Sequence, residues 1–139
     1  MRRVIDAAVA VKWFIEEDRS DAALDIVSSG ALLYAPHLIL IEVAATFMKK
    51  VRRQEINADF ARSAEQTFRQ RATAGLITLW PDETLLSDAI ELSLGLAHPL
   101  YDCIYLALAQ RVDAPLVTSD MALVRKLTDE DYKKFIMPL

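Results

Sequence analysis

The residues of this chain that could do chemistry are acids standing beside or inside apolar segments. They are Asp6, Glu42, Asp102 and Asp120. A carboxylate taken out of water needs a positive group, a hydrogen-bond donor or a metal ion to compensate it. Because these acids are spread from residue 6 to residue 120, one shared divalent cation is the economical compensator. Oxygen-only ligands suit hard cations, so the pattern favours Mg²⁺ or Mn²⁺ over zinc or copper.

Each acid also has a simpler interpretation when it is considered alone. Asp6 reads as a turn residue after a strand, Asp102 as a helix N-cap, and Asp120 as the cap of a helix that begins at Met121. Glu42 is the hardest to explain in this way, because a mid-helix glutamate in an apolar segment is usually paired. The metal hypothesis therefore depends on the fold bringing all of them together.

Size and composition indicate one folded domain spanning residues 1–139. The chain is 53% hydrophobic and 26% charged, which is typical of a globular protein and not of a disordered one. Its net charge of −4 argues against binding nucleic acid through bulk charge, although a nucleic-acid enzyme with basic residues gathered on one rim stays open.

Cysteine content and hydropathy indicate the compartment. The single cysteine, Cys103, excludes an intramolecular disulfide and a cysteine-based zinc site, and it fits a reducing cytosol. The longest apolar segments are roughly ten residues, too short to span a bilayer. Arg2 and Arg3 are soon followed by Asp6, which is not typical of a signal peptide. We expect a cytoplasmic protein without a membrane segment.

Short β-like runs alternate with longer helical patterns along the chain. The predicted strands are Arg3–Asp6, Leu32–Tyr34, Ile77–Trp80, Leu116–Thr118 and one near Phe135–Met137. The predicted helices are Asp21–Ser29, His37–Arg53, Asn57–Arg71, Asp82–Gly95, Leu100–Arg111 and Met121–Leu127. We predict Asn57 and Asp82 as N-caps. The alternation predicts an α/β fold in three layers, with helices on both faces of a mainly parallel sheet.

This arrangement gives the acids a predicted meeting point. In such folds ligands bind beyond the carboxyl ends of the strands. Asp6 ends its predicted strand, and Asp120 ends the segment Leu116–Asp120, which begins with a predicted strand. Asp102 begins a helix, whose free amides favour negative charge nearby. Glu42 lies within a helix, and Lys49 lies two turns along the same face.

Other polar residues carry weaker predictions. The hydroxyl groups of Thr118 and Ser119 either orient Asp120 or a water molecule, or belong only to the strand. His37 and His98 have no partner histidine at ligand spacing, so we interpret them as structural or surface residues. Candidates for contacts with phosphate groups are Lys12, Lys49, Lys50, Arg52 and Arg53. The basic residues from 49 to 53 have an alternative role as solvated cations that suit a helix C-terminus.

Four segments, in order and at similar spacing, resemble the motifs of PIN-domain ribonucleases of the VapC toxin type. These segments are Val4–Phe14, Ala35–Ala44, His98–Ala109 and Leu116–Asp120. The resemblance covers about residues 4 to 124, nearly the whole chain. The third segment is the most specific, because its Tyr-Asp-Cys-x-Tyr-x-Ala-x-Ala texture is long and unusual.

The resemblance implies a fold, an activity and partners. It implies a three-layer α/β/α PIN-like domain whose central sheet, with the five strands predicted above, gathers the four acids at one end. There they hold Mg²⁺ or Mn²⁺ as catalytic residues of an endoribonuclease that cuts single-stranded regions of RNA. It also implies a homodimer, inhibited by a VapB-type antitoxin that inserts a basic side chain among the acids.

Two positions depart from the family pattern and keep alternatives open. Ala8 stands where members often have serine, and Ala45 where they often have asparagine. One alternative is therefore a weak or idle PIN-like module that acts through partner binding, although such a module has no reason to keep buried like charges. A magnesium-dependent phosphatase or phospho-receiver domain is a second alternative. Such phosphatases need aspartate at the position of Ala8, and the phosphoacceptor aspartate of a receiver is not found.

Overall fold

The computed structural model describes residues 1–139, and its centre is a five-stranded sheet in which every neighbouring pair is parallel. The strands are β1 (Arg2–Ile5), β2 (Leu32–Pro36), β3 (Ile77–Trp80), β4 (Leu116–Thr118) and β5 (Ile136–Pro138). Their order across the sheet is β3-β2-β1-β4-β5. The predicted mainly parallel sheet is confirmed, and β3 and β4 have their predicted bounds.

Eight α-helices surround the sheet. They are α1 (Ala7–Val11), α2 (Ser20–Ser28), α3 (Leu38–Arg52), α4 (Ala58–Arg71), α5 (Leu86–Leu96), α6 (Leu100–Val112), α7 (Met121–Lys126) and α8 (Glu130–Lys133). A π-helical turn (Ala72–Leu76) follows α4, and a 3-10 turn (Asp82–Thr84) precedes α5. Hydrophobic periodicity did not predict α1 or α8, because helices of five and four residues are too short to show it.

The strand order and the right-handed crossover rule define three layers. From β1 to β2 and on to β3 the chain steps in one direction, and from β3 it returns past β1 to β4 and β5. Right-handed connections then put α1 to α4 on one face and α5 to α8 on the other. Accordingly, α3 contacts α1 and α4, while α6 contacts β1, β2 and β4. The predicted three-layer arrangement is confirmed.

Helix α6 runs through the core of the second layer. Eight of its residues are buried, and they are Cys103 to Ala109 together with Val112. None of the helices alone is long and apolar enough to cross a membrane. Helices α5 and α6 have that length and composition only when taken together, and they meet at a bend of 116°.

The two predicted N-caps have different outcomes. Asn57 caps α4 as predicted, since its side chain accepts a hydrogen bond from the Phe60 amide at 2.8 Å. The prediction for Asp82 is wrong, because its carboxylate accepts from the Leu38 amide at 2.9 Å and so caps α3. Strands β2 and β3 are neighbours, which brings the loop after β3 beside the start of α3. His37, at the N-cap position of α3, makes no side-chain capping bond of its own.

Strand order also defines where a ligand can enter. Strands β1 and β4 are neighbours, but the segments that follow them lead toward opposite directions in the sheet. A crevice opens at the carboxyl ends of strands at such a switch point. Strand β1 ends directly before Asp6, and β4 ends two residues before Asp120. The fold therefore directs both acids to this crevice.

Candidate metal site

A cleft of about 510 Å³ opens at the carboxyl ends of β1 and β4, and all of the predicted acids line it. Its lining residues are Asp6, Ala7, Ala8, Glu42, Ala45, Thr46, Lys49, Arg52, Asp102, Tyr105, Ser119 and Asp120. The acids come from the ends of two strands and from two helices on opposite faces of the sheet. The fold thus brings together residues that are far apart in the chain.

Asp6 lies at the junction of β1 and α1, where both of its oxygens are held. As N-cap of α1 it accepts from the Val9 amide at 2.9 Å through Oδ1. Its Oδ2 accepts from the Thr118 hydroxyl at 2.6 Å. Burial raises the pKa of Asp6 to about 6, against the opposing effect of these two hydrogen bonds, and the charges of Asp102 and Asp120 raise it further. An ionised Asp6 therefore calls for positive charge in the cleft.

Thr118 links Asp6 to Asp120 across the two neighbouring strands. Its buried hydroxyl donates to Asp6 and accepts from the Asp120 amide at 3.0 Å. Asp120 caps α7, since its Oδ1 accepts from the Ala122 and Leu123 amides at 3.0 and 3.2 Å. Asp120 can cap α7 and also face the cleft, because only one of its two carboxylate oxygens is used for capping. Ser119 between them is exposed on the cleft wall.

Glu42 projects from α3 into the cleft and is bound by a tyrosine of α6. The buried Tyr105 hydroxyl donates to Glu42 Oε1 at 2.6 Å. Burial raises the pKa of Glu42, as do the charges of Asp102 and Asp6, whereas the Tyr105 hydrogen bond lowers it. Burial and the adjacent carboxylate also raise the pKa of Tyr105, so its phenol keeps its proton and acts as a donor. The sequence interpretation missed Tyr105, although it lies three residues from Asp102 on the same helix.

Asp102 lies in the first turn of α6, and its partner is a histidine. The N-cap position belongs to Pro99, so the interpretation of Asp102 as a cap is wrong. The His98 ring lies with Nε2 2.8 Å from Asp102 Oδ2 and 3.6 Å from Asp120 Oδ2. Burial raises the pKa of Asp102, the His98 hydrogen bond lowers it, and the Asp120 charge raises it.

His98 was predicted to be structural or on the surface, and the structure corrects the second alternative. The residue is buried, with 6% of its surface exposed, and its ring contacts the acidic cluster. The sequence feature that indicates this contact is the spacing of four residues between His98 and Asp102, whereas the sequence interpretation considered only a second histidine. His37, by contrast, does not line the cleft.

The charge and chemistry of this cluster fit a divalent cation. No lysine or arginine forms an ion pair with any of the four carboxyl groups, and His98 is the only basic residue in contact with them. Two carboxylates about 4 Å apart repel by roughly 4 kcal/mol at an effective dielectric near 20. A donor set of carboxylate oxygens is suited to a hard cation, which would remove this repulsion.

The predicted basic residues separate into two groups. Lys49 and Arg52 line the cleft on the face of α3 that carries Glu42. Two others are held away from it by Glu17, whose carboxylate lies 3.1 Å from Lys12 and 3.0 Å from Lys50. Arg53 follows α3, is exposed and does not line the cleft.

The two positions that depart from the family pattern both line the cleft. Ala8 and Ala45 are exposed there and present methyl groups. Hydrogen bonds to the nearby Asp6 and Glu42 come instead from Thr118 and Tyr105. The acids are therefore anchored without the serine and asparagine.

Comparisons with known proteins agree with this fold. Residues 3–126 match the family model described as PIN domain. The chain is 29% identical to ribonuclease VapC3 of Pyrobaculum aerophilum over 126 residues, which cover 91% of this chain and 95% of that protein. The crystal structure of PAE2754 from the same organism is similar with a TM-score of 0.73 at 16% identity, covering 99% of this chain and 83% of that one. A toxin–antitoxin complex from Klebsiella pneumoniae is similar with a TM-score of 0.61 at 18% identity, covering 86% and 87%.

Proposed function

This chain belongs to the PIN domain family, and we propose that it is a metal-dependent endoribonuclease, the toxin of a VapBC-type toxin–antitoxin pair. One observation carries the proposal: four acids from distant parts of the chain line one cleft, and no lysine or arginine forms an ion pair with any of them. The name of the ribonuclease VapC3 supports RNA as the substrate class. Our proposed substrate is a single-stranded region of RNA.

We propose that the cation is Mg²⁺ or Mn²⁺, held mainly by Asp6 and Asp102, with Glu42 and Asp120 completing the site. When bound, it would supply a Lewis acid that neutralises phosphate charge and makes water a better nucleophile. In the reaction the water oxygen attacks phosphorus and the bond from phosphorus to O3′ breaks. The products are a 5′-phosphate and a 3′-hydroxyl.

The residues of the chain prepare this reaction by holding the carboxylates in place. Thr118 fixes Asp6 through its hydroxyl and joins it to the backbone of Asp120. Tyr105 fixes one oxygen of Glu42, which leaves the other to bind the cation or to position the attacking water. Ser119 offers a further hydroxyl at the cleft wall. Preorganised groups of this kind avoid reorganisation during the reaction.

The function is tested by incubating the purified, antitoxin-free protein with a panel of structured RNAs in Mg²⁺, in Mn²⁺ and in EDTA. We expect cleavage at a few single-stranded sites in either metal and none in EDTA. Wild-type protein that binds Mn²⁺ but leaves every RNA intact would favour the alternative of a weak or idle module, which the methyl groups of Ala8 and Ala45 make worth testing. Protein that fails to bind Mn²⁺ would contradict the metal site itself.

We expect the basic residues of the cleft to contact RNA phosphates. Replacing both Lys49 and Arg52 with alanine should weaken RNA binding. The slope of log K against log salt concentration should become less steep by about 1.4, which corresponds to the loss of two phosphate contacts with a single strand. Fluorescence anisotropy in EDTA at several salt concentrations measures this without cleavage. Removing Arg62 and Lys133, which do not line the cleft, is the matched control and should leave the slope unchanged.

The remaining predicted RNA contacts have a smaller proposed part. Lys12 and Lys50 share the carboxylate of Glu17, so less of their charge is available to RNA. Arg53 is exposed just beyond the end of α3 and extends the basic rim outward from Arg52. Equal losses of affinity from alanine at Lys50 and at Lys49 would contradict this ranking.

A homodimer is the proposed assembly, through the exposed face of α5. Leu86, Ile90 and Leu94 recur every four residues and are 40%, 41% and 74% exposed, an apolar stripe suited to a second copy of the chain. We expect Leu94→Glu to lower the sedimentation coefficient from the value of a dimer to that of a monomer. Leu24→Glu, at an exposed leucine of α2, is the control. A wild-type monomer at micromolar concentration would contradict the proposal.

The proposed protein partner is a VapB-type antitoxin. The structural similarity to a toxin–antitoxin complex supports it, as does a cleft whose uncompensated negative charge is complementary to an inserted basic side chain. We expect an antitoxin encoded beside this gene to suppress cleavage when the two are co-purified. Full cleavage by a stable complex of the two would contradict inhibition at the cleft.

A further inference from the structure

A buried histidine lies directly behind two acids of the cleft without lining the cleft itself. His98 occupies the turn between α5 and α6, and its Nε2 lies 2.8 Å from Asp102 Oδ2 and 3.6 Å from Asp120 Oδ2. It is 6% exposed and does not line the cleft, which Asp102 and Asp120 do. His98 therefore reaches the acids from the protein side, opposite to the side that substrate approaches.

The other ring nitrogen is bound by a lysine of α7. Lys126 Nζ lies 3.1 Å from His98 Nδ1 and 2.8 Å from the Ala97 carbonyl oxygen. An ammonium group has only donors, so Nδ1 must accept. In the neutral ring the proton then sits on Nε2, which donates to Asp102. Lys126 thus selects the one tautomer that can hold Asp102 by a hydrogen bond.

The backbone around His98 fixes the ring in this position. The Ser93 hydroxyl donates to the His98 carbonyl oxygen at 2.6 Å, and the His98 amide donates to the Ser93 carbonyl oxygen at 3.3 Å. The preceding Ala97 adopts a left-handed conformation with φ of 51°, which ends α5 and turns the chain. The following Pro99 restricts the residue before it. The histidine is therefore held by elements on both sides of the turn.

We propose that His98 is a positioning residue for the nuclease site, kept in its donor tautomer by Lys126. It orients Asp102 and holds it beside Asp120 against their mutual repulsion, so that the pair is ready for a cation. This inference rests on the proposed function. Residues that act through a ligand in this way typically contribute 10- to 100-fold to metal affinity, by rough estimate.

The experiment compares Mn²⁺ affinity, measured by calorimetry without RNA, for variants of the full chain. His98→Leu removes the donor, and we expect its Kd for Mn²⁺ to rise about 10- to 100-fold. His98→Gln puts an amide N–H near the position of Nε2 and should restore affinity to within about 3-fold of wild type. A purely structural role of a buried imidazole would not be rescued selectively by the amide.

Lys126 provides a test that does not disturb the core, because this residue is exposed. In Lys126→Met the His98 ring is no longer restricted to the tautomer with its proton on Nε2, and we expect a severalfold higher Kd for Mn²⁺. The matched control on the same helix is Arg125→Met, and the two variants should have similar thermal stability.

The outcomes separate this inference from the function on which it rests. Wild-type protein that neither binds Mn²⁺ nor cleaves RNA would overturn both. If the wild type binds Mn²⁺ and cleaves RNA, and the folded variants His98→Leu and Lys126→Met bind Mn²⁺ as tightly as the wild type, only the positioning role is overturned. If His98→Leu does not fold, the Lys126→Met affinity decides, and a value equal to that of Arg125→Met overturns the role.

Discussion

Replacing Asp102 by asparagine is expected to lower the rate of RNA cleavage by about 10³-fold, equivalent to about 4 kcal/mol of transition-state stabilisation. The carboxylate is half-buried beside Asp120, and its charge is the part of the site that a neutral amide cannot supply. The fold should survive, because the asparagine oxygen can still accept from His98 and one repulsive charge is gone. Single-turnover cleavage of a labelled RNA in Mg²⁺ measures the loss.

A matched acid-to-amide change separates charge at the site from charge elsewhere. Asp88→Asn, on the exposed side of α5 where Asp88 pairs with Arg111, should leave the cleavage rate within about 2-fold, as surface changes of this kind are small in energy. Asp102→Asn that cuts RNA as fast as wild type would mean that the activity comes from a contaminating nuclease. If Asp102→Asn cuts RNA as fast as wild type and the wild type is inactive without metal, the role given to Asp102 is contradicted instead.

The metal-free protein is expected to lose stability as pH rises, because of Asp6. Its pKa in the folded state is raised by burial to about 6, from an ordinary value of 3.8. The folded protein therefore binds this proton more tightly than the unfolded chain does. The stabilisation is fully present below pH 3.8 and is lost as pH rises through about 6. The loss amounts to about 3 kcal/mol for this group.

Urea unfolding in EDTA at pH 4.5 and pH 7.5 measures this effect. We expect Asp6→Asn to be more stable than wild type at pH 7.5 and to have a smaller dependence on pH. Glu17→Gln gives a control of opposite sign. Burial raises the pKa of Glu17, but the hydrogen bonds and charges of Lys50 and Lys12 together outweigh it, so this pKa is lowered. The stabilisation by the Glu17 carboxylate of the wild type is present at pH 7.5 and is lost in acid. Mn²⁺ should stabilise wild type at pH 7.5 much more than Asp6→Asn.

Much of the fold follows from patterns that the sequence makes visible. Strands β3 and β4 were predicted with their observed bounds, because each is an apolar run between helical patterns and polar turns. Asp6 and Asp120 were directed to one crevice by the rule for parallel sheets alone. Glu42 was identified because its charge interrupts an apolar helical face.

The contacts that support the acids were not predictable in the same way. Tyr105 and His98 act across elements, and the contact of Tyr105 with Glu42 spans 63 positions in the chain. The trapping of Lys50 by Glu17 spans 33 positions and removes from the cleft a residue that helical spacing left beside Lys49. Such pairings depend on how helices pack, and periodicity within one helix contains no information on them.

The hydroxyl bridge from Thr118 to Asp6 has a consequence for how this protein is made. It spans 112 positions, and Asp120 stands two residues further on. A growing chain that still has Leu116 to Asp120 inside the ribosome has neither the strand beside β1 nor the fourth acid. The proposed metal site is therefore incomplete throughout most of synthesis. Under the proposed function, a chain that is still being translated has no complete site with which to cut RNA.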